Sequence, residues 1–569
     1  DLQWADVACL QFIEHLLAQP DTRYLLLIAA YRDNEVSAAH PLTSTLETIR
    51  HGGATMIDLR LAPLSILHLN QLVADTLHAP SSLCEPLTRV VFERTEGNPF
   101  FFTQFLDALY KEGVLRHDPK EHAWRWDLAQ IKIRDFADNV ADLMAGKLRR
   151  LPQPAQEALQ LAACLGNKFD LRHLVVVGGL AEDETWQRLS AAVREDLILC
   201  SDGHGKFLHD RIQQAAYALI PEARRAEVHL HIGRTLVARL TADEIDRHLF
   251  DVAAQFNRGA ALLADPDEKA RVAGIHLRAG RKAKASVAYA SACGYLAAGM
   301  ALFDDDAWTS RYALLFSLWL ECAECELLRG NFDTAERLIA TLLRTATSKL
   351  DQAAAYRLKA ELHIIKAEHT QAIESALVCL RQFGIDLPAH PTPDQVQNEY
   401  EQVWQALANE DLSLGRRKPA LQGRPVTQGR GMPRQFPASP LGERPIERLI
   451  DLPLATDPEI RAAMDILMAL IPATYYRAPQ LFFLLNCRLM NLSLRHGITG
   501  ASAWACGGFG MMLCGSFQRY AEGYRFCKLG CELVDKHDFA AYKAKAYLIA
   551  GVIAPWAQPL NVVIELCAA

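Results

Sequence analysis

The spacing of hydrophobic residues divides the chain into a short mixed part and a long helical part. Residues 7–19 carry apolar side chains at helical spacing, and residues 24–31 are eight mostly apolar residues without alternation. The second pattern predicts a strand that is covered on both faces of a parallel sheet. Residues 56–61 (MIDLRL) alternate, which predicts a strand nearer a sheet edge. This order of elements predicts an α/β layer at the start of the chain.

The next part of the chain is predicted to be helical and to end in a β-hairpin. Segments 197–201 and 205–209 predict hairpin strands around a turn at residues 202–204. Helices followed by a hairpin predict a winged helix. Its expected recognition segment, residues 184–195, balances two arginines with two glutamates, so DNA binding is not expected. The predicted helices lie at 66–78, 83–95, 99–112, 140–151, 154–165, 171–177, 184–195 and 210–219.

From residue 226 onward the pattern is helical and partly repetitive. A turn followed by a helix with a small residue occurs at residues 328–336 and again, 37 residues later, at 367–373. Residues 520–523 are a third, degenerate copy. A period in the mid-thirties predicts tetratricopeptide-like (TPR-like) helical repeats, which present a concave surface to a peptide, a protein or other domains of the same protein.

A basic stretch interrupts the repeats. Residues 413–442 hold six Lys and Arg residues and no acidic residue, among Pro, Gly and Gln. This composition cannot bury a core and predicts disorder. A linker, a nucleic-acid-binding arm and a reading-frame scar in the gene all remain open for it.

Composition argues against several classes of protein: nucleic-acid binding, membrane-spanning and disulfide-rich secreted proteins. The 569 residues predict three to five domains, and the net charge of -7 gives no reason to expect nucleic acid or an anionic membrane as a partner. No apolar run is long enough to span a membrane and no signal-peptide pattern opens the chain, so a cytoplasmic protein is expected. The fourteen cysteines, including the Cys322–Cys325 pair, lack framework spacing and are interpreted as buried free thiols.

Two charged residues near the start of the chain are candidates for chemistry on a nucleotide. Asp1 opens the first helix, and Arg32 follows the apolar run at 24–31. An acidic residue at a strand end can hold Mg²⁺ or orient water, and a cation at the next strand end can stabilise the γ-phosphate. The alternative is a helix N-terminal acid beside an ordinary surface arginine.

The sequences of four segments resemble motifs of the STAND branch of AAA-like ATPases. Asp1-Leu2-Gln3-Trp4-Ala5-Asp6 is similar to the end of the family's Walker B strand, and Arg32 matches its sensor arginine. Gly97-Asn98-Pro99 matches the GxP motif, and Leu208-His209-Asp210 resembles the family's MHD motif, with Leu for Met. The resemblance implies that Asp1 orients water, that Pro99 lies against adenine, and that His209 senses the bound diphosphate. It implies ATP or ADP with Mg²⁺ as the cofactor of the intact parent.

One expected motif is missing from the 569 residues. No GxxxxGK[ST] loop occurs, so the backbone N–H groups and the lysine that hold the β-phosphate are lacking. We therefore expect this chain alone to bind ATP poorly, and we expect it to be a fragment at both ends. The expected fold class is the C-terminal half of a P-loop α/β NTPase, a helical lid, a winged helix and an all-α TPR-like array. The expected bounds are 1–62 for the NTPase half, 63–135 for the lid, 136–225 for the winged helix, 226–412 for repeats, 413–445 for the insert and 446–569 for further repeats.

The expected function is a nucleotide-dependent switch with a protein-interaction module in a bacterial signalling protein. Relatives with this order of parts commonly carry a serine/threonine kinase upstream, and a GAF sensor with a histidine kinase downstream. The repeats would then bind protein partners or the protein's own kinase domains. Two alternatives remain open: a fragment of a LuxR-type transcription activator, and an inert helical-repeat scaffold.

Overall fold

The computed structural model describes two compact units of the chain, Asp1–Ala288 and Tyr289–Ala569. Its described residues are 2, 5, 7–19, 22–32, 36, 40–133, 140–408, 446–475, 477–559 and 564. The predicted disordered insert at 413–445 lies outside these residues, as does Asp1. Among the described residues, no helix combines the length and the apolar composition that a membrane crossing requires.

The first unit consists of fifteen described helices and five short strands. Its helices are α1 Val7–Ala18, α2 Pro41–His51, α3 Ile66–Leu77, α4 Ser81–Thr95, α5 Pro99–Lys111, α6 Leu128–Ile133, α7 Val140–Arg150, α8 Gln153–Leu165, α9 Leu171–Gly178, α10 Glu182–Arg194, α11 Asp210–Ala218, α12 Glu222–Arg239, α13 Ala242–Arg247, α14 Leu249–Gly259 and α15 Pro266–Ala285. Its strands are β1 Leu115–Asp118, β2 Ala123–Trp126, β3 Lys168–Asp170, β4 Ile198–Ser201 and β5 His204–Phe207.

Helices α3, α4 and α5 pack around one apolar core. Ser65 caps α3 by accepting a hydrogen bond from the backbone N–H of His68 (3.3 Å). The core side chains of Leu69, Leu87 and Phe102 are all 0% exposed. Burying side chains of this size contributes roughly 1.5–3 kcal/mol each. The predicted helices at 66–78, 83–95 and 99–112 are thereby confirmed as α3, α4 and α5.

A three-stranded antiparallel sheet lies against the helices α8 to α11. The strand order is β3-β5-β4, and Ile198 of β4 faces Phe207 of β5. The hairpin turns at Asp202 and Gly203, whose φ angles of 50° and 76° suit a tight two-residue turn. Phe207 is 0% exposed and packs into the helical core. The predicted hairpin is therefore present, while the assignment of this region as a winged helix stays a prediction.

The two predicted strands of the α/β layer are not strands in the structure. No strand is assigned at 24–31 or 56–61 among the described residues. The side chains of Leu26 and Ile28 are 82% and 86% exposed. A strand needs a ladder of bonds to a neighbour, and the backbone hydrogen bond from Leu2 N to Ala30 O (2.9 Å) does not make one. The predicted α/β half of an NTPase is thus not evident in the part of the chain that the structure describes.

The second unit is a succession of packed helices. Consecutive helices pack side by side along most of it, as α18 does with α19 and α20 with α21. Its helices are α16 Tyr289–Met300, α17 Ala307–Ser310, α18 Tyr312–Leu328, α19 Phe332–Thr345, α20 Lys349–Ile365, α21 His369–Gln382, α22 Pro393–Ala408, α23 Pro458–Tyr475, α24 Pro479–His496, α25 Gly500–Phe517, α26 Tyr520–His537 and α27 Ala540–Ile553.

The repeated turn-then-alanine pattern has a clear structural basis. The turn after α18 contains Gly330 with φ 81°, and the turn after α20 contains Ala367 with φ 60°. Ala335 and Ala372 lie one turn into the helices that follow, and both are 0% exposed. A small residue there lets the second helix of each pair approach the first. The prediction of a helical repeat array is confirmed as an array of packed helices.

Candidate functional site

The start of helix α5 is built by the predicted Gly97-Asn98-Pro99 motif. Gly97 has φ 79°, and a Cβ atom at this position would overlap the backbone oxygen of Leu64. The Asn98 side chain accepts hydrogen bonds from the backbone N–H groups of Phe100 (3.1 Å) and Phe101 (3.3 Å). Pro99 occupies the first helical position, where its missing N–H has no helical partner to lose. Each residue of the motif therefore has a structural reason to be there.

His209 sits at the start of helix α11 and lies flat against Phe100. The two rings stack with centroids 4.4 Å apart and an interplanar angle of 14°. The Nδ1 atom of His209 lies 2.7 Å from Asp210 Oδ1 and 3.1 Å from the backbone N of Arg211. Since both contacts use Nδ1, a ligand entering this site would meet Nε2. Stacking and capping together fix the plane of the ring.

Burial lowers the pKa of His209, and the guanidinium groups of Arg32 and Arg211 lower it further, while the Asp210 carboxylate raises it. The net direction is downward, so the neutral imidazole is favoured in the folded chain. A phosphate oxygen beside the ring would raise the pKa of His209, because negative charge stabilises the imidazolium.

Arg32 reaches the same place from a distant part of the sequence. Its Nη2 atom lies 2.5 Å from Asp210 Oδ2. The Asp210 side chain is 7% exposed and that of Arg32 is 28% exposed, so the carboxylate is buried and the cation retains access to solvent. A buried carboxylate without such a pairing would be strongly unfavourable.

We refer to Arg32, Phe100, His209 and Asp210 together as the α5–α11 site. The structure brings Arg32 and His209 together through Asp210, and it places the helix start formed by Gly97 and Pro99 beside them through Phe100. Asp1 lies outside the described residues. Sequence reasoning did not single out Phe100. The available signal was the run of three phenylalanines, Phe100 to Phe102, directly after Asn98-Pro99 at the predicted start of a helix.

Neither protein-family models nor solved structures show a family or a fold for this chain. No protein-family model matches the chain. The chain aligns with the crystal structure of a Signal Transduction ATPase with Numerous Domains (STAND) protein with a tetratricopeptide repeat sensor from Pyrococcus horikoshii. The identity is 9%, the TM-score is 0.36, and the alignment covers 89% of this chain and 65% of that one. A likeness at that level does not establish a common fold.

Two curated proteins are similar in sequence. Over 579 residues the chain is 25% identical to the hybrid signal transduction histidine kinase G of Dictyostelium discoideum, covering 90% of this chain and 16% of that protein. It is 21% identical over 355 residues to the peroxide stress-activated histidine kinase mak3 of Schizosaccharomyces pombe, covering 59% and 15%. The chain thus spans about one sixth of the length of these relatives. It resembles a region of two signal-transduction histidine kinases.

Proposed function

We propose that this chain is the nucleotide-sensing and helical-repeat region of a cytoplasmic signal-transduction protein. The observation that carries the proposal is the meeting of Arg32, His209 and the start of α5 at one place. ADP with Mg²⁺ would favour the closed arrangement of this site, and ATP would release the repeats to bind a protein partner or a kinase domain of the same protein.

The proposal gives each group a separate task. Arg32 supplies a cation that now pairs with Asp210, and a diphosphate would compete with that carboxylate for it. His209 would donate a hydrogen bond from Nε2–H to a phosphate oxygen, while its Nδ1 accepts the backbone N–H of Arg211 and keeps the ring in place. Pro99 would lie against the adenine, and Gly97 permits the turn that sets its position. Asp1 would orient the attacking water.

Amide hydrogen exchange on the 569-residue chain tests this proposal even when binding is weak. With millimolar MgADP, the amides of residues 98, 100, 101 and 209–211 are expected to exchange more slowly. Arg32→Ala should remove this protection. The matched control is Arg188→Ala, which removes an exposed arginine that pairs with Glu184 on α10.

Two results would contradict the proposal. One is unchanged exchange at both segments up to the highest nucleotide concentration, which is the outcome that an inert scaffold gives. The other is equal protection in Arg32→Ala and in the parent chain. Micromolar ATP affinity would instead contradict the expectation of weak binding, which rests on the missing phosphate loop.

The similarity to histidine kinases supports placing the chain in a kinase-linked signalling protein. The two hypotheses, a kinase-linked signalling protein and a LuxR-type activator, predict different downstream domains. A GAF sensor and histidine kinase downstream would support the proposal, whereas a helix-turn-helix would favour the activator. Sequencing the gene on both sides of this frame decides between them.

A further inference from the structure

Three cysteines and one glutamate meet between helices α16 and α18. Cys322, Cys325 and Glu326 stand at positions i, i+3 and i+4 of α18 and so share one helix face. Cys293 comes from α16, which packs against α18. The sulfur atoms of Cys293 and Cys322 and a carboxylate oxygen of Glu326 all lie within 4.8 Å of one another. We call these four residues the α16–α18 cluster.

The cluster is closed off from solvent. Cys325 is 0% exposed, Cys322 5%, and Cys293 and Glu326 are each 6% exposed. Cys325 lies beside these three groups, and its thiol forms a hydrogen bond with Cys293. Three potential ligand groups from two helices therefore lie close together in one buried place, with a fourth thiol next to them.

Glu326 is the member of the cluster that ordinary packing does not explain. Its Oε1 atom lies 3.3 Å from Arg329 Nη1. Its Oε2 atom is buried, and none of the described residues gives it a hydrogen bond of normal length. The other hydrogen-bonding neighbours of Glu326 are the Cys293 thiol, which is a weak donor, and Asn331. A buried carboxylate is costly to keep ionised without a stronger partner.

We propose that Cys293, Cys322, Cys325 and Glu326 form a binding site for a thiolate-preferring divalent cation, with Zn²⁺ as the best fit. Zn²⁺ takes four ligands in a tetrahedron, with sulfur at about 2.3 Å and carboxylate oxygen at about 2.0–2.2 Å. Ligand atoms then lie under roughly 4 Å apart, so groups within 4.8 Å need only a small contraction.

The chemistry of the ligand set excludes the common hard cations. Mg²⁺ and Ca²⁺ require several oxygen ligands, whereas this cluster offers three sulfurs and one carboxylate. Each cysteine that binds the metal releases its proton to solvent, so the affinity is expected to rise with pH. Arg329 offsets part of the negative charge that three thiolates and a carboxylate would leave.

The site has a structural consequence for the repeat array. It would tie α16 to α18 at the start of the second unit. Binding there would stabilise the first helices of the array, because the folded chain presents the four ligands together and the unfolded chain does not.

Cobalt titration of the reduced, chelator-treated 569-residue chain tests the site. Co²⁺ replaces Zn²⁺ in such sites and gives near-ultraviolet thiolate charge-transfer absorption. We expect this band to saturate at one metal per chain and to disappear on addition of Zn²⁺. Cys293→Ser and Glu326→Gln should each weaken binding at least about tenfold. Cys379→Ser is the matched control, since Cys379 is equally buried but lies on α21, away from the cluster.

A second measurement avoids dependence on the folding of the variants. Alkylation of the parent chain with N-ethylmaleimide, at a urea concentration that transiently opens its helices and followed by mass spectrometry, should show Zn²⁺-dependent protection of Cys293, Cys322 and Cys325. The proposal is overturned if the reduced chain gives no charge-transfer band, or if the band is unchanged in Cys293→Ser. Recovery of a Cys293–Cys322 disulfide, with no metal uptake after reduction, would also overturn it and would indicate a redox pair.

Discussion

At the residue scale, the fold favours the neutral form of His209. Its pKa lies below the ordinary value of 6.5, first because of burial and then because of Arg32 and Arg211. As the pH falls below about 6.5, the unfolded chain therefore binds this proton before the folded chain does. The contribution of His209 to stability is present above that pH and is lost as the pH falls. We expect His209→Asn, which retains a side-chain oxygen to cap α11, to lose less stability on acidification than the parent chain.

Urea unfolding at about pH 7.5 and about pH 5 measures this difference. His173, His229 and His276 also have lowered pKa values, so some acid sensitivity remains in every variant. His122→Asn is the control, because His122 is exposed in a turn with φ 48°, which asparagine tolerates. Equal acid sensitivity in His209→Asn and the parent chain would show that the stacked histidine is not held neutral.

The sequence reveals several residues of the candidate site but not the contacts between them. Arg32, Pro99 and His209 each belong to a short motif and could be named from local order. The ion pair between Arg32 and Asp210 could not, because nothing in either segment specifies a contact over such a separation. The cysteines are a second case in which the sequence does not show a contact between distant segments. Cys322 and Cys325 look like an isolated pair until helix packing adds Cys293 from another helix.

At the scale of elements, α25 and α26 pack closely at several glycines, two of which, Gly510 and Gly523, face each other. A Cβ atom on Gly523 would overlap the Sγ of Cys514 and approach the backbone oxygen of Gly510. A Cβ atom on Gly510 would overlap the backbone oxygen of Gly523. The degenerate repeat at 520–523 thus keeps its small residue for the same reason as the repeats at Ala335 and Ala372.

Gly523→Ala is therefore expected to destabilise the second unit by about 1–3 kcal/mol, the usual cost of overpacking. The matched control is Gly515→Ala on α25, where no atom lies within 4 Å of the added methyl group. That substitution should be neutral or stabilising by up to about 1 kcal/mol, because alanine favours helices over glycine. Urea unfolding of both variants measures the difference, and equal stabilities would show that the two helices do not meet at Gly523.

The range of backbone hydrogen bonds explains why the helices could be predicted better than the strands. A helix such as α3 satisfies its own backbone, and its capping residue lies beside it in sequence. A strand depends on a neighbour that sequence spacing cannot supply. The apolar run at 24–31 has the composition of a buried strand, yet its side chains are exposed where the structure shows no ladder.

At the scale of the whole molecule, three hydrophobic cores of the described residues each lie inside one of the two units. One core runs from Leu69 to Ile131 and another from Met144 to Ala216, both inside the first unit. A larger core runs from Ala353 to Ile553, inside the second. Since a core supplies most of the free energy of folding, each unit contains the apolar contacts that it needs.

We therefore expect residues 1–288 and 289–569 to fold when they are produced separately. Each piece should have a helical far-ultraviolet circular dichroism spectrum and its own cooperative thermal transition. The control is a division inside α19, between Ile339 and Ala340, which separates the buried residues Ala335 and Leu342 of one helix. The cut divides the second unit alone, so residues 340–569 should unfold or aggregate, and residues 289–339 of the other piece should lose their helical structure, because packed helix faces are exposed on both sides. Loss of structure in residues 1–288, or loss in residues 289–569 to the same extent as in residues 340–569, would mean that the two units do not fold independently.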